Sequence, residues 1–405
     1  MNWDFWKFWS GETISKFGSS FTTFALPLLI YRLDPSPIAL AISTAAFTLP
    51  NLIFGLQIGA LTDRLDRKRV MIAADLAAAL LLASVPAASA AGALTVWWIF
   101  AVIFLAATIE IFFEASEFGA IPTLVSRDQL VTANGRIQAS YAAASVLGPL
   151  SAGALVAFLP LEDLLIIDGV TFLVSALTLS VIKRRFSETR PAAATTIRAD
   201  IAEGLAYVLS HPVLRNISAM MALINFIGAT WFAQIILFAK REYAATDSQV
   251  ALLFAGSGVG VVVCSLAAGP LRRRFSFGNV ALGALMLGST AILLMSLVPS
   301  YLVGLALWSL SAGLGTLFNI NTGSLRQSIV PSHMLGRIIT IARVLAFSST
   351  PLGAILGGLA IQWTGDVAAV YAATAVLTFL VALYFRVASP LGEAERYLEE
   401  SVSAP

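Results

Sequence analysis

Apolar residues in this chain come in long blocks separated by short polar breaks. Blocks fall at about 5–31, 37–62, 70–91, 95–124, 137–159 and 164–182, and resume at 214–239, 248–271, 277–298, 301–325, 338–362 and 367–388. A helix needs roughly 20 apolar residues to cross a hydrocarbon core. The blocks exceed strand length and lack two-residue alternation, so an outer-membrane barrel does not fit. The pattern predicts an all-α membrane protein with twelve transmembrane helices in two sets of six. The expected boundaries are 1–182 for the first bundle, 183–213 for a polar linker, 214–388 for the second bundle and 389–405 for a polar tail. Within the linker, a short amphipathic stretch lies around Ile201–Leu209.

Composition agrees with a bilayer as solvent. The chain has 405 residues, 58% of them hydrophobic and only 12% charged, whereas soluble domains carry about 25% charged residues. Mean hydropathy is +0.85. A net charge of +2 without a basic domain gives no reason to expect nucleic acid. Cys264 is the sole cysteine, and His211 and His333 are the only histidines. No thiolate cluster or zinc ligand set can be assembled from them, and neither a metal nor a cofactor is expected. A phosphate-binding loop and a serine nucleophile elbow are also missing, which argues against a membrane-embedded enzyme. Asp4, with no short basic segment or small-residue cleavage site, speaks against a cleavable signal peptide.

Basic residues orient the helices, because Lys and Arg accumulate on the cytoplasmic side. With the N-terminus inside, that side receives Arg64, Arg67, Lys68, Arg69, Lys183, Arg184, Arg185, Arg272, Arg273 and Arg274, among others. The opposite side keeps Arg32, Lys240 and Arg241. The expected location is the inner, cytoplasmic membrane, with both termini cytoplasmic and the chain a monomer.

The two halves echo one another. Gly55 and Gly59 precede Gly256 and Gly260 by 201 positions, as Arg136 precedes Arg337. Transporters use such internal repeats, although glycines four apart also serve ordinary helix packing.

Ionisable residues inside the blocks carry the candidate chemistry. A charge at the bilayer centre costs about 2.5–3.5 kcal/mol on insertion scales, so it needs a partner, water or a proton. Glu110, Glu114 and Glu117 share one face of the fourth block. Glu110 and Glu114 are the proton-coupling candidates, with a structural pair to Lys16 or Arg343 as the alternative for Glu110. Glu117 reads as a gate or a solvated residue near the cytoplasm, and Glu12 and Lys16 as a pair that neutralises itself within the first block.

After the second block the chain reads Gly59-Ala-Leu-Thr-Asp63-Arg64-Leu-Asp66-Arg67-Lys68-Arg69. An acid among four cations can pair differently in two conformations, a conformational latch, although positive-inside topology alone also asks for the cations. This segment resembles the signature of the major facilitator superfamily. Phe112-Phe113-Glu-Ala-Ser-Glu-Phe-Gly-Ala-Ile-Pro122, Asp168-Gly-Val-Thr-Phe172, Leu325-Arg326-Gln327 and Pro351-Leu-Gly-Ala-Ile-Leu-Gly357 resemble its enterobactin-exporter and macrolide-efflux branch. The resemblance implies two pseudo-symmetric bundles working by alternating access. It assigns Gly59, Asp63, Arg64 and Arg67 to the latch, with Asp75 supporting it. Gly148, Pro149 and Gly153 are similar to an antiporter motif, whose physical basis is a bend that an ordinary proline kink would also produce. By analogy Asn225, Gln234, Asn319, Asn321, Thr322 and Arg343 are cavity candidates, some of which can instead bond between helices. The function so implied is proton-coupled efflux of amphipathic small molecules such as drugs or siderophores. The alternatives are a proton-coupled importer and a lysolipid transporter.

Overall fold

The computed structural model describes residues 2–62, 64–184, 186, 197–330 and 334–394, and these contain helices, turns and no strand. In the first half the helices are α1 (Trp3–Leu33), α2 (Pro37–Thr62), α3 (Arg67–Ala90), α4 (Val96–Leu124), α5 (Leu130–Leu155) and α6 (Leu161–Ser180). After α7 (Ile197–Ser210) come α8 (Pro212–Glu242), α9 (Asp247–Arg274), α10 (Gly283–Leu297), α11 (Tyr301–Ile329), α12 (Leu335–Phe347), α13 (Thr350–Thr364) and α14 (Val367–Val387). A single π-turn over Gly278–Leu282 leads into α10.

Local chemistry sets the ends of these helices. Asn2 accepts from the Phe5 amide at 2.9 Å, Asp66 from Arg69 at 3.2 Å and Asp366 from Ala369 at 2.8 Å. Each bond satisfies an amide that the first turn would leave orphaned. Pro37 opens α2 at a position where its missing N–H costs nothing. Gly365 closes α13 at a φ of 72°, a backbone region open to glycine.

Ten segments are long and apolar enough to cross a membrane by composition alone. The two long helices outside that set are α1 and α5, and the reason is chemical. Glu12 and Lys16 interrupt α1, while Asn134, Arg136, Gln138 and Tyr141 interrupt α5. Together these make twelve membrane-length segments among the described residues. Large apolar side chains such as Leu80, Phe158 and Trp363 point outward, as they do when lipid is the surrounding solvent.

The helices gather into two compact units, 1–191 with 245–255, and 192–244 with 256–405. Inside the first unit α1 packs on α5 and α6, α3 on α4 and α6, and α2 on α4. The first turns of α9 belong to this unit, where Asp247 pairs with Arg32 and the Ser248 hydroxyl donates to the Gly153 carbonyl at 2.8 Å. The second unit packs α8 against α12, α13 and α14, and α10 against α11 and α14. A close crossing there brings Gly260 of α9 against Gly313 and the Ser309 carbonyl of α11, where a Cβ would collide with backbone.

The eleventh block departs from the continuous helix expected over 338–362. It is broken between α12 and α13 at Ser348–Ser349. Pro351 follows directly; a proline inside a helix has no N–H to donate, and its ring clashes with the carbonyl four residues back. The Ser349 hydroxyl anchors the break by donating to the Ala222 carbonyl on α8 at 2.8 Å.

Candidate functional site

The polar interruptions of α1, α4 and α5 converge inside the first unit. Helix α1 presents Glu12 and Lys16 one turn apart, α4 presents Glu110 and Glu117, and α5 presents Tyr141. Lys16 Nζ lies 3.5 Å from Glu110 Oε1 and 5.1 Å from the centre of the Tyr141 ring. The Tyr141 hydroxyl lies 2.7 Å from Glu12 Oε1 and 3.2 Å from both carboxyl oxygens of Glu117. Glu12 is 3% exposed and Glu117 6%, so both are shut away from solvent and lipid. The second oxygen of Glu12 is buried without a hydrogen-bond partner.

Two seams hold this arrangement in place. Thr13 of α1 and Ser140 of α5 meet hydroxyl to hydroxyl at 2.9 Å. Two turns of α5 further on, Gly148 lets Ser20 of α1 occupy the space that a side chain would need. On the other side of α1, Gly18 faces Asp168 and Thr171 of α6. Asp168 is 1% exposed and accepts from the Thr22 and Thr171 hydroxyls. Asp75 is also 1% exposed, and neither of its carboxyl oxygens has a hydrogen-bond partner.

The structure distributes the residues singled out by sequence unevenly. Glu110 is paired with Lys16, and its side chain is 45% exposed. Glu114 is exposed on the same helix. Glu117, expected to be a gate or a solvated residue, is buried rather than solvated, because Glu12 and Tyr141 close over it from two other helices. Glu12 and Lys16 do not simply neutralise one another, since each has a partner on another helix. Tyr141 is a site residue that sequence reasoning missed. Its one signal along the chain is a polar aromatic five residues beyond Arg136, inside the fifth block.

At the basic end of the unit, Arg67 Nη1 donates to the Gly119 carbonyl at 3.1 Å and the Phe186 carbonyl at 3.4 Å. Lys68 donates to the Ser180 and Ile182 carbonyls at 3.2 and 2.5 Å. Cations placed on C-terminal carbonyls are favoured by the helix dipole. Arg64 is exposed, and beyond its own helix backbone nothing lies within 4 Å of where a Gly59 Cβ would sit. Asp63 lies outside the described residues. Asp75 sits about 12 Å along α3 from Arg67, taking 1.5 Å per residue, and is buried. Pro149 and Gly153 are buried in a helix that continues through them.

Within the second unit Asn225 donates to the Ala346 carbonyl at 2.8 Å, joining α8 to α12. Asn321 and Thr322 are buried and donate to the Leu317 and Phe318 carbonyls of their own helix, at 2.7 and 3.0 Å. Gln234 is fully buried. Asn319 and Arg343 are exposed.

Comparison with known proteins agrees with this architecture. The chain is 25% identical to the multidrug efflux pump Tap of Mycolicibacterium fortuitum over 359 residues, covering 84% of this chain and 85% of Tap. It is 26% identical to macrolide efflux protein A of Streptococcus pyogenes over 184 residues, 45% of each chain. Among solved structures, a bacterial homologue of the human lysosomal transporter Spinster superposes with a TM-score of 0.74 at 14% identity, covering 100% of this chain and 98% of that one. That likeness is one of fold. Residues 2–404 match the family described as transmembrane secretion effectors, and with this match the chain belongs to that family of major facilitator superfamily transporters.

Proposed function

We propose that this transporter exports amphipathic small molecules, of the drug or siderophore kind, in exchange for protons by alternating access. It would act as a monomer in the cytoplasmic membrane, with both termini cytoplasmic. The observation that carries this reading is the Lys16–Glu110 pair, 3.5 Å apart between α1 and α4. An ion pair within membrane helices is held by mutual compensation, so anything that neutralises or replaces one partner releases the other. A proton on Glu110 frees Lys16, and a cationic cargo group beside Glu110 or Glu114 does the same. Efflux relatives support the outward direction, and the positive-inside distribution of basic residues supports the orientation. In the second unit the cavity candidates Asn319 and Arg343 are exposed and able to meet cargo. The Gly59–Arg67 segment would act as the latch, with Arg67 and Lys68 exchanging their carbonyl partners between conformers. Gly148 and Pro149 supply the tight α1–α5 approach that an exchanger's bending helix needs.

Proteoliposomes with an imposed proton gradient test this reading, using ethidium and a macrolide as cargo and recording proton and cargo flux together. Wild-type protein should pump against the cargo gradient. Glu110→Gln should reduce gradient-driven efflux at least about tenfold, equivalent to about 1.4 kcal/mol, while retaining downhill exchange. Undiminished pumping by Glu110→Gln would remove this residue from coupling, and undiminished pumping by the Glu110→Gln/Glu114→Gln double variant would remove the α4 face altogether.

A further inference from the structure

We infer that Glu12, Glu117 and Tyr141 form a buried binding site for one proton, shared between the two carboxyls and separate from the Lys16–Glu110 pair. Two carboxylates offer four acceptor oxygens and no donor, whereas a tyrosine hydroxyl carries one hydrogen. Tyr141 stands within hydrogen-bond reach of Glu12 Oε1 and both oxygens of Glu117, yet it can donate to one acceptor at a time. The remaining demand is visible in Glu12 Oε2, buried and without a partner. Leaving two adjacent carboxylates charged at 3% and 6% exposure would combine desolvation with mutual repulsion, and carboxyl pairs relieve this by sharing one proton.

The charges around the pair leave this solution standing. From α1 comes Lys16, which is engaged with Glu110 and stacked on the Tyr141 ring. Helix α4 adds Glu110 and Glu114, both further negative charges. On α5, Arg136 lies over the Trp6 ring at 4.4 Å. Asp168 on α6 is occupied by Thr22 and Thr171, and Asp75 on α3 is another acid. One lysine therefore faces several carboxyls, and a bound proton supplies the missing positive charge. Only an O–H bond is made or broken: the proton arrives from water, bonds one carboxyl oxygen, is donated across to the other carboxylate, and returns to water.

That the proton is the coupling ion rests on the proposed export function, so the test has two arms. The first uses purified full-length protein in lipid nanodiscs and reads the carboxylic-acid C=O stretch by infrared difference spectroscopy during a pH titration. Wild type should show one more protonated carboxyl than either Gln variant of the pair, above any band from Asp75 and Asp168, and that extra band should titrate as one proton. That extra band should disappear in Glu12→Gln and equally in Glu117→Gln, because either change leaves a single carboxylate served by Tyr141 and the new amide. It should persist in Glu110→Gln and shift in Tyr141→Phe, a variant that keeps the ring and its packing. A wild-type spectrum with no protonated carboxyl beyond those retained in the Glu12→Gln/Glu117→Gln double variant would overturn the site, as would loss of the extra band in only one of the two single variants. A sodium-dependent rise in melting temperature in place of the signal would overturn it in favour of a metal cation. If a Gln variant fails to fold, the Tyr141→Phe spectrum decides the matter, and an unshifted one overturns the site.

The second arm measures proton-driven efflux. If wild type binds the shared proton but does not pump, the export reading fails while the site stands. If wild type pumps and Glu12→Gln and Glu117→Gln pump with unchanged proton-to-cargo ratio, the bound proton is not the coupling ion, and the coupling role assigned to the site is overturned.

Discussion

The two units solve the same packing problem with different chemistry. The first buries Glu12, Asp75, Glu117 and Asp168 among its helices. Among the described residues of the second, the buried polar side chains are neutral: Ser218, Thr230, Gln234, Ser289, Asn321, Thr322 and Thr378. Both units bury hydroxyls, and what separates them among the described residues is the set of buried carboxyls in the first. A buried acid in a membrane helix is expensive and is kept where it does something. A buried hydroxyl can satisfy itself on its own helix, as Thr322 does by donating to the Phe318 carbonyl, and contributes little beyond local packing. The first unit therefore concentrates the buried ionisable acids, and none is buried among the described residues of the second.

Placing an acid in the neutral half is the most forceful way to break the contrast. Thr322→Glu puts a carboxyl at a position 1% exposed without the partners that the first unit provides. The expected cost is about 3 kcal/mol, read as a large loss of folded protein and a lower melting temperature in detergent. Asp168→Asn in the first unit should cost much less, because one of the Thr22 and Thr171 hydroxyls can still donate to the amide oxygen while the other accepts from the new NH2 group. Equal tolerance of both substitutions would erase the distinction.

A smaller effect on folding, but a clear one on transport, is expected from Lys16→Met. It leaves Glu110 without its cation, and gradient-driven efflux should fall about tenfold, corresponding to about 1.4 kcal/mol. Combining it with Glu110→Gln should restore part of the lost melting temperature, since the double variant carries neither charge. Strictly additive losses would mean that the two residues do not interact.

The smallest effect belongs to Asn225→Leu, which removes the bond to the Ala346 carbonyl. Interhelical hydrogen bonds in membranes average about 0.6 kcal/mol, so melting should drop slightly and cargo affinity should hold. A weakened cargo Kd with unchanged melting would instead make Asn225 a cargo contact.

Much of the architecture is legible along the chain. Block lengths mark the helices, because crossing a bilayer imposes a length and leaves the backbone no alternative but to bond internally. Asn2, Asp66 and Asp366 mark helix starts by side-chain chemistry that acts over three residues. Glycine spacing points to Gly260, and the collision awaiting a Cβ there explains it. The break at Ser348–Ser349 is less visible, since the apolar pattern runs through it and only Pro351 hints at an interruption.

For the candidate site, sequence determined which residue types lie inside the hydrocarbon and on which face of their own helix. The i, i+4, i+7 spacing placed Glu110, Glu114 and Glu117 together on α4 in that sense. Which of them is buried was decided by tertiary structure alone. Glu110 and Glu117 lie two turns apart on the same face, yet one remains half exposed beside Lys16 while the other is closed in by α1 and α5. Periodicity along one helix carries no information about how near a neighbouring helix comes, and that nearness depends on small residues such as Gly148, where Ser20 fits. The same approach brings Tyr141 to Glu12, residues 129 positions apart. A single phenolic hydrogen shared by two acids is a property of three helices meeting, and no one of their sequences contains it.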